Sequence, residues 1–190
     1  MNHSYKIVSL YSFSPILENK LLNLKVELEK FEDKGLTGLI ILAKEGINGT
    51  ICGEEKIVNI FHRKIKIFLK DNDLNEKISF SEKKVFKKLK IKIKAEIVTM
   101  GINNISPEKK SGIYVDSEKW NNLLADRNTI VIDTRNYYEV SLGSFENAIN
   151  PNLKNFREFP DWIDKNLKKI TKDNENINIA MFCTGGIRCE

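Results

Sequence analysis

Near the end of this 190-residue chain, Cys183-Thr-Gly-Gly-Ile-Arg188 combines a thiol, two consecutive glycines and an arginine. A thiol attacks only as its thiolate, so its surroundings must favour negative charge. Consecutive glycines let successive N–H groups converge on one centre, because no Cβ restricts φ and ψ. Arg188 is expected to add a fixed positive charge. Thiols in such settings have pKa values lowered to roughly 3.5–7.5. Covalent chemistry at Cys183 is therefore expected, inside an anion-holding loop of Thr184, Gly185, Gly186, Ile187 and Arg188. The competing reading is an inert, packed cysteine followed by a glycine turn. The chain has just two histidines, His3 and His62, and no CxxC pair among Cys52, Cys183 and Cys189. Neither a Cys–His couple nor a metal site is expected, and three scattered cysteines make no disulfide framework.

The elements that must position this loop can be read backwards from it. Ile177 to Phe182 is an apolar run that delivers Cys183 to the carboxyl end of a strand, where ligand sites of open α/β sheets lie. Thr129-Ile-Val-Ile132 is a second short strand of the buried type. Between them, Pro160-Asp161 opens a helix with Trp162, Ile163, Leu167 and Ile170 facing inward. Before them, Ser117 to Ala125 is a helix capped by Asp116 or Ser117. Strands alternating with helices make residues 113–190 an α/β unit.

Residues 1–100 carry a different pattern. Tyr5 to Phe13 is a strand, and Leu17 to Phe31 a helix ended by Lys34-Gly35. Leu36 to Ala43 and Thr50 to Cys52 are strands joined by a hairpin at Asn48-Gly49. Glu54 to Leu69 is a helix with Ile57, Ile60, Phe61, Ile65 and Phe68 as its buried stripe, and Val85 to Thr99 is a closing strand. This is the split βαβ order of a ferredoxin-like sandwich, α+β in class. Residues 101–112, with Asn103-Asn104, Pro107, Lys109-Lys110 and Gly112, read as a linker.

The charge is uneven. Residues 1–100 hold 19 basic and 13 acidic side chains, residues 101–190 hold 12 and 13. A polyanionic partner for the first unit and a Lys-rich compositional bias both account for this. Within it, Lys90, Lys92 and Lys94 alternate with Leu89, Ile91 and Ile93. They form either a phosphate-binding comb or a solvated edge strand. Glu45 and Asn48 are candidate substrate contacts at the hairpin, although Asn-Gly needs no function there. Phe156 and Arg157 are candidates for stacking on a base, against the alternative that Phe156 and Phe159 cap the core. No apolar run is long enough for a bilayer, and the N-terminus lacks a signal-peptide pattern. A cytoplasmic protein without membrane or stable protein partner is expected.

Val131-Ile-Asp133-Thr-Arg135, Glu139, Gly143-Ser-Phe-Glu-Asn-Ala-Ile-Asn150 and the Cys183–Arg188 loop together resemble a rhodanese domain. Four residues separate Cys183 from Arg188, as in sulfur-carrying rhodaneses, whereas related phosphatases use five. The resemblance thus implies a cysteine persulfide, with Asp133 and Arg135 bracing the loop. Lys44-Glu-Gly-Ile-Asn-Gly-Thr-Ile-Cys-Gly53, Gly112-Ile-Tyr-Val115, Ile149-Asn-Pro151, Phe156-Arg-Glu-Phe-Pro160 and Met181-Phe-Cys-Thr-Gly-Gly-Ile-Arg-Cys-Glu190 extend the likeness to nearly the whole chain. In this order they resemble the tRNA uridine hydroxylase family. That resemblance implies a ferredoxin-like (acylphosphatase-like) domain before the rhodanese domain. It also implies tRNA as partner and oxygen-dependent formation of 5-hydroxyuridine at wobble position 34. Molecular oxygen would be co-substrate; no flavin, haem or iron-ligand motif is evident. A plain sulfurtransferase and a non-catalytic RNA-binding module are the alternatives. Ser144-Phe-Glu-Asn-Ala148 stands where rhodaneses have His-Ile-Pro-Gly-Ala. The chain stops at Glu190, so the rhodanese-like domain is expected to lack its C-terminal part.

Overall fold

Val8 and Leu10 of β1 (Tyr5–Ser12), Ile40 and Leu42 of β2 (Thr37–Ala43) and Ile47 and Ile51 of β3 (Gly46–Gly53) are buried at even spacings, so each strand offers one face to a core. This computed structural model describes residues 5–70, 74–102, 105, 107, 111–171 and 176–190. Of the 101–112 linker, Asn103, Asn104, Lys109 and Lys110 lie outside the described residues, as does His3. The chain divides into two units, Met1–Val98 and Thr99–Glu190.

In the first unit, α1 (Glu18–Glu29) and α2 (Glu55–Leu69) complete the split βαβ order with β4 (Asn75–Ser81). A fifth strand, β5 (Leu89–Ile93), follows, and the sheet runs β4-β1-β3-β2-β5. Only β5 against β2 is parallel. Leu21, Leu24 and Leu28 of α1 and Val58, Phe61, Ile65 and Leu69 of α2 join Val8, Leu10, Ile40, Leu42, Ile47, Ile51, Leu89 and Ile91 in one buried cluster. Each such side chain contributes about 1.5–3 kcal/mol.

Four expectations for this unit are corrected. The strand that closes the split βαβ is β4, not Val85–Thr99. All of β4 except Ser81 is exposed, and its apolar residues are few, so periodicity hides it. Leu89–Ile93 instead joins the opposite edge, and Ile93, expected inside, is 42% exposed. The hairpin turns at Lys44-Glu45, since Ala43 pairs with Gly46. Asn48-Gly49 lies mid-strand, opposite Ile41 and Ile40; a Cβ at Gly49 would come within 2.1 Å of the Leu39 carbonyl oxygen. The glycine there serves close strand packing rather than a turn. In α2 the buried stripe is rotated: Val58 and Leu69 are inside while Ile60 is 46% exposed.

In the second unit, α3 (Ser117–Ala125) is capped by Asp116, whose carboxylate accepts the Lys119 N–H at 2.9 Å. It precedes β6 (Thr129–Asp133), the short α4 (Tyr137–Val140), α5 (Phe159–Thr171) and β7 (Asn178–Phe182). β6 and β7 pair in parallel with Asp133 opposite Phe182. Trp120, Phe145 and Phe182 meet at centroid distances of 4.9–5.9 Å. β7 is less covered than its apolar sequence predicts, with Ile179 41% exposed; Leu167 of α5, expected inward, is 37% exposed.

Candidate active site

β7 ends at Phe182 and hands Cys183 to the loop. Gly186, at φ +94°, takes a conformation that side chains oppose, and this turns its N–H toward the sulfur. The Gly186 N–H donates to Cys183 Sγ at 3.0 Å. The chain then folds back through a 3-10 turn over Ile187–Cys189, where the Cys189 N–H donates to the Gly186 carbonyl at 2.8 Å. The neighbouring Cys189 thiol is the strongest influence lowering the Cys183 pKa. Burial opposes it, and the N–H groups of Arg188, Gly185 and Gly186 add to it. The result is a thiol at about 6. Cys189 is pushed the other way, by Cys183 and by burial, and stays protonated.

Arg188 helps by its backbone rather than, as expected, by its side-chain charge. Its guanidinium is bound to Glu139, Nη1 to Oε2 at 2.8 Å. Thr184 Oγ1 donates to the other oxygen of Glu139 at 2.6 Å. One carboxylate at the start of α4 thus grips the loop at two points. Burial raises the Glu139 pKa, but the bonds from Thr184, Arg188 and the Asn136 amide outweigh it and hold the group ionised. The cation coupled to the thiolate is Arg135, whose guanidinium carbon lies 5.2 Å from the Phe182 ring centre.

Asp133 and Arg135 brace a different segment from the one expected. Arg135 clasps Asp133 through Nε at 2.8 Å and Nη2 at 2.7 Å, and Nη2 also donates to the Gly143 carbonyl at 2.6 Å. Ser144 Oγ donates to Asp133 at 2.8 Å. The pair therefore fixes the Gly143–Ser144 turn. Asp133 is fully buried. Its burial raises the pKa, and the bonds from Arg135 and Ser144 bring it below the ordinary value. Between them Thr134, also fully buried, is bonded to the Phe182 carbonyl through Oγ1 at 2.9 Å and lies 3.7 Å from Cys189 Sγ. Thr134 and Glu139 are the loop's braces, and sequence reasoning gave neither that role. The signal for Glu139 was its place three residues after Asn136, a capping-box spacing whose glutamate accepts the Asn136 N–H at 3.2 Å.

Of the other candidates, Glu45, Asn48, Lys90, Lys92 and Lys94 belong to the first unit and Phe156 and Arg157 to the second. Glu45 Oε1 accepts the Ile97 N–H at 2.6 Å, and Asn48 Nδ2 donates to the Ile97 carbonyl at 2.9 Å. Both side chains hold the buried Ile97. Phe156 is buried and stacks on Phe159 at 5.6 Å, so it caps the core rather than offering a face to a base. Arg157 is exposed. Lys90 and Lys92 project from the sheet face opposite buried Leu89 and Ile91; Lys94 follows the strand, and all three are exposed.

A ferredoxin-like unit and an α/β unit whose strand ends in a glycine-cradled, low-pKa cysteine define a two-unit thiol protein. The family model for the UPF0176 acylphosphatase like domain matches residues 5–97. The tRNA uridine(34) hydroxylase of Legionella pneumophila (strain Corby) is 43% identical over 97% of this chain and 70% of its own length. Proteins of that name from two Prochlorococcus marinus strains, CCMP1986 and NATL2A, are 57% and 45% identical. The first is matched over 100% of this chain and the second over 98%. The chain spans 61% and 59% of the lengths of these two. It belongs to the tRNA uridine(34) hydroxylase family.

Proposed function

We propose that this chain carries the reactive centre for oxygen-dependent hydroxylation of the wobble uridine, position 34, of tRNA to 5-hydroxyuridine. The observation that carries the reading is Cys183, a thiolate at neutral pH held by three loop N–H groups and the Cys189 thiol. A thiolate so placed adds to an electrophilic carbon or carries a sulfur or oxygen atom as a covalent adduct. The family name supports uridine 34 as the target. Molecular oxygen supplies the added atom.

The tRNA is held by charge along β5, where Lys90, Lys92 and Lys94 line an exposed edge. Arg157 is a further exposed cation for this role. A persulfide-carrying sulfurtransferase remains the second reading, favoured by the four-residue spacing of Cys183 and Arg188. No helix among the described residues is long and apolar enough to cross a membrane, and a cytoplasmic enzyme suits a tRNA substrate.

Incubate the purified chain with unmodified tRNA under ¹⁸O₂ and digest to nucleosides. Mass spectrometry should show 5-hydroxyuridine carrying one ¹⁸O, absent with the Cys183→Ser variant. Turnover of thiosulfate and cyanide without any labelled nucleoside would replace this function with the sulfurtransferase.

A further inference from the structure

Cys189 has no covalent task in the reaction proposed above, yet its surroundings are specific. The 3-10 turn over Ile187–Cys189 brings it back beneath the loop, fixed by its own N–H on the Gly186 carbonyl. Thr134, buried at the end of β6, contacts its sulfur at 3.7 Å. Gly186 joins the two cysteines: its N–H donates to Cys183 Sγ at 3.0 Å and its carbonyl accepts the Cys189 N–H at 2.8 Å. Two thiols six positions apart in sequence are therefore folded into one loop.

They are chemically unequal. Cys183 is cradled by N–H groups and is the nucleophile; Cys189 has no such cradle and stays protonated. A reactive cysteine beside a protonated partner thiol is the arrangement in which an oxidised sulfur is captured as a disulfide before it oxidises further. Cys52, the third cysteine, is fully buried in β3 of the other unit.

We propose that Cys183 and Cys189 form a two-electron thiol–disulfide couple, with Cys189 as the resolving thiol. The proposal rests on Cys183 being the reactive group of the function above, and it supplies that function's electrons. With a hydroperoxide as oxidant, the Cys183 thiolate attacks one peroxide oxygen. The S–O bond forms, the O–O bond breaks, and the departing alkoxide takes a proton to leave as an alcohol. Cys183 is then a sulfenic acid. Cys189 attacks its sulfur, the S–S bond forms, the S–O bond breaks, and water leaves with the Cys189 proton. Two thiols have given two electrons, and the peroxide has become an alcohol and water. Inserting one atom of O₂ into a C–H bond, with the other leaving as water, needs two electrons from outside the substrate. The couple holds two.

Treat the reduced full chain with one equivalent of hydrogen peroxide, without RNA, and map its peptides under non-reducing conditions. The expected product is a Cys183–Cys189 cross-link with two of the three thiols consumed, Cys52 intact, and both thiols restored by dithiothreitol. Cys189→Ser and Cys189→Ala should stop at the Cys183 sulfenic acid, with dimedone labelling raised roughly tenfold over wild type. Wild-type protein that ends as dimedone-labelled Cys183 with a free Cys189 thiol overturns the couple, as does a cross-link from Cys183 to Cys52. The readout needs no tRNA. Protein that forms the Cys183–Cys189 disulfide but makes no labelled 5-hydroxyuridine overturns the hydroxylation reading while supporting the couple.

Discussion

In Met1–Val98 the interior is an unbroken apolar cluster from Val8 to Ile91, and its ion pairs, such as Lys64 with Glu27 at 2.6 Å, lie outside that cluster. In Thr99–Glu190 the side chains buried deepest beside the site include Asp133 and Thr134, and the loop is tied by Glu139 to Thr184 and Arg188. One unit is held by contact that does not depend on protonation. The other is held, at its reactive end, by charge-assisted bonds that do. A thiolate needs this: fixed dipoles and ions position it without flooding it with water, and acid sensitivity comes with the arrangement.

The comparison can be broken most forcefully at Cys183. Cys183→Ser should lower 5-hydroxyuridine formation on the order of 10³-fold or more, with the folded state retained, measured as single-turnover product. Next come two substitutions of similar cost and different character. Phe61→Ala should destabilise the first unit by about 3–5 kcal/mol through the cavity it leaves, in urea titrations, at pH 7 and pH 4 alike. Asp133→Ala should cost the second unit about 3–5 kcal/mol at pH 7, because it strands the Arg135 guanidinium.

The wild-type second unit should itself weaken in acid. Asp133 and Glu139 both have folded pKa values below their ordinary ones, so their stabilisation is present above about pH 4 and is lost as pH falls through the folded values. A second unit as stable at pH 3 as at pH 7 would contradict the charge-held account. Glu139→Gln, which keeps one acceptor for Thr184 but frees Arg188, should slow alkylation of Cys183 by less than about tenfold, roughly 1 kcal/mol. The smallest effect belongs to the first unit's surface. Replacing Lys90, Lys92 and Lys94 by Ala should flatten the log–log salt dependence of tRNA binding by roughly 0.7–0.9 per lost contact. An unchanged slope removes them from the footprint.

Much of this was legible in sequence for physical reasons. Cys183 follows an apolar run and precedes two glycines, a local pattern that local geometry obeys. The helices α1 and α2 announced themselves by periodicity, because each buries one stripe, whereas α3, which buries no side chain, was legible through its capping residue Asp116. β4 did not, since an exposed edge strand has no stripe to bury, and its place was given to Leu89–Ile93. Asn48-Gly49 misled because the same dipeptide that permits a tight turn also permits two backbones to approach. At the site, sequence placed Arg188 near the thiolate but not its direction. That depends on Glu139, 49 positions away, and long-range pairing leaves no periodic trace.

The account turns on Cys183 being a thiolate at neutral pH because loop N–H groups and Cys189 hold it. The rate of its alkylation by iodoacetamide, followed against pH on the intact chain by peptide mass, tests this directly. The predicted profile rises through a midpoint of about 6 and is flat by pH 8. A midpoint near that of an ordinary free thiol, about 8.5, would contradict it.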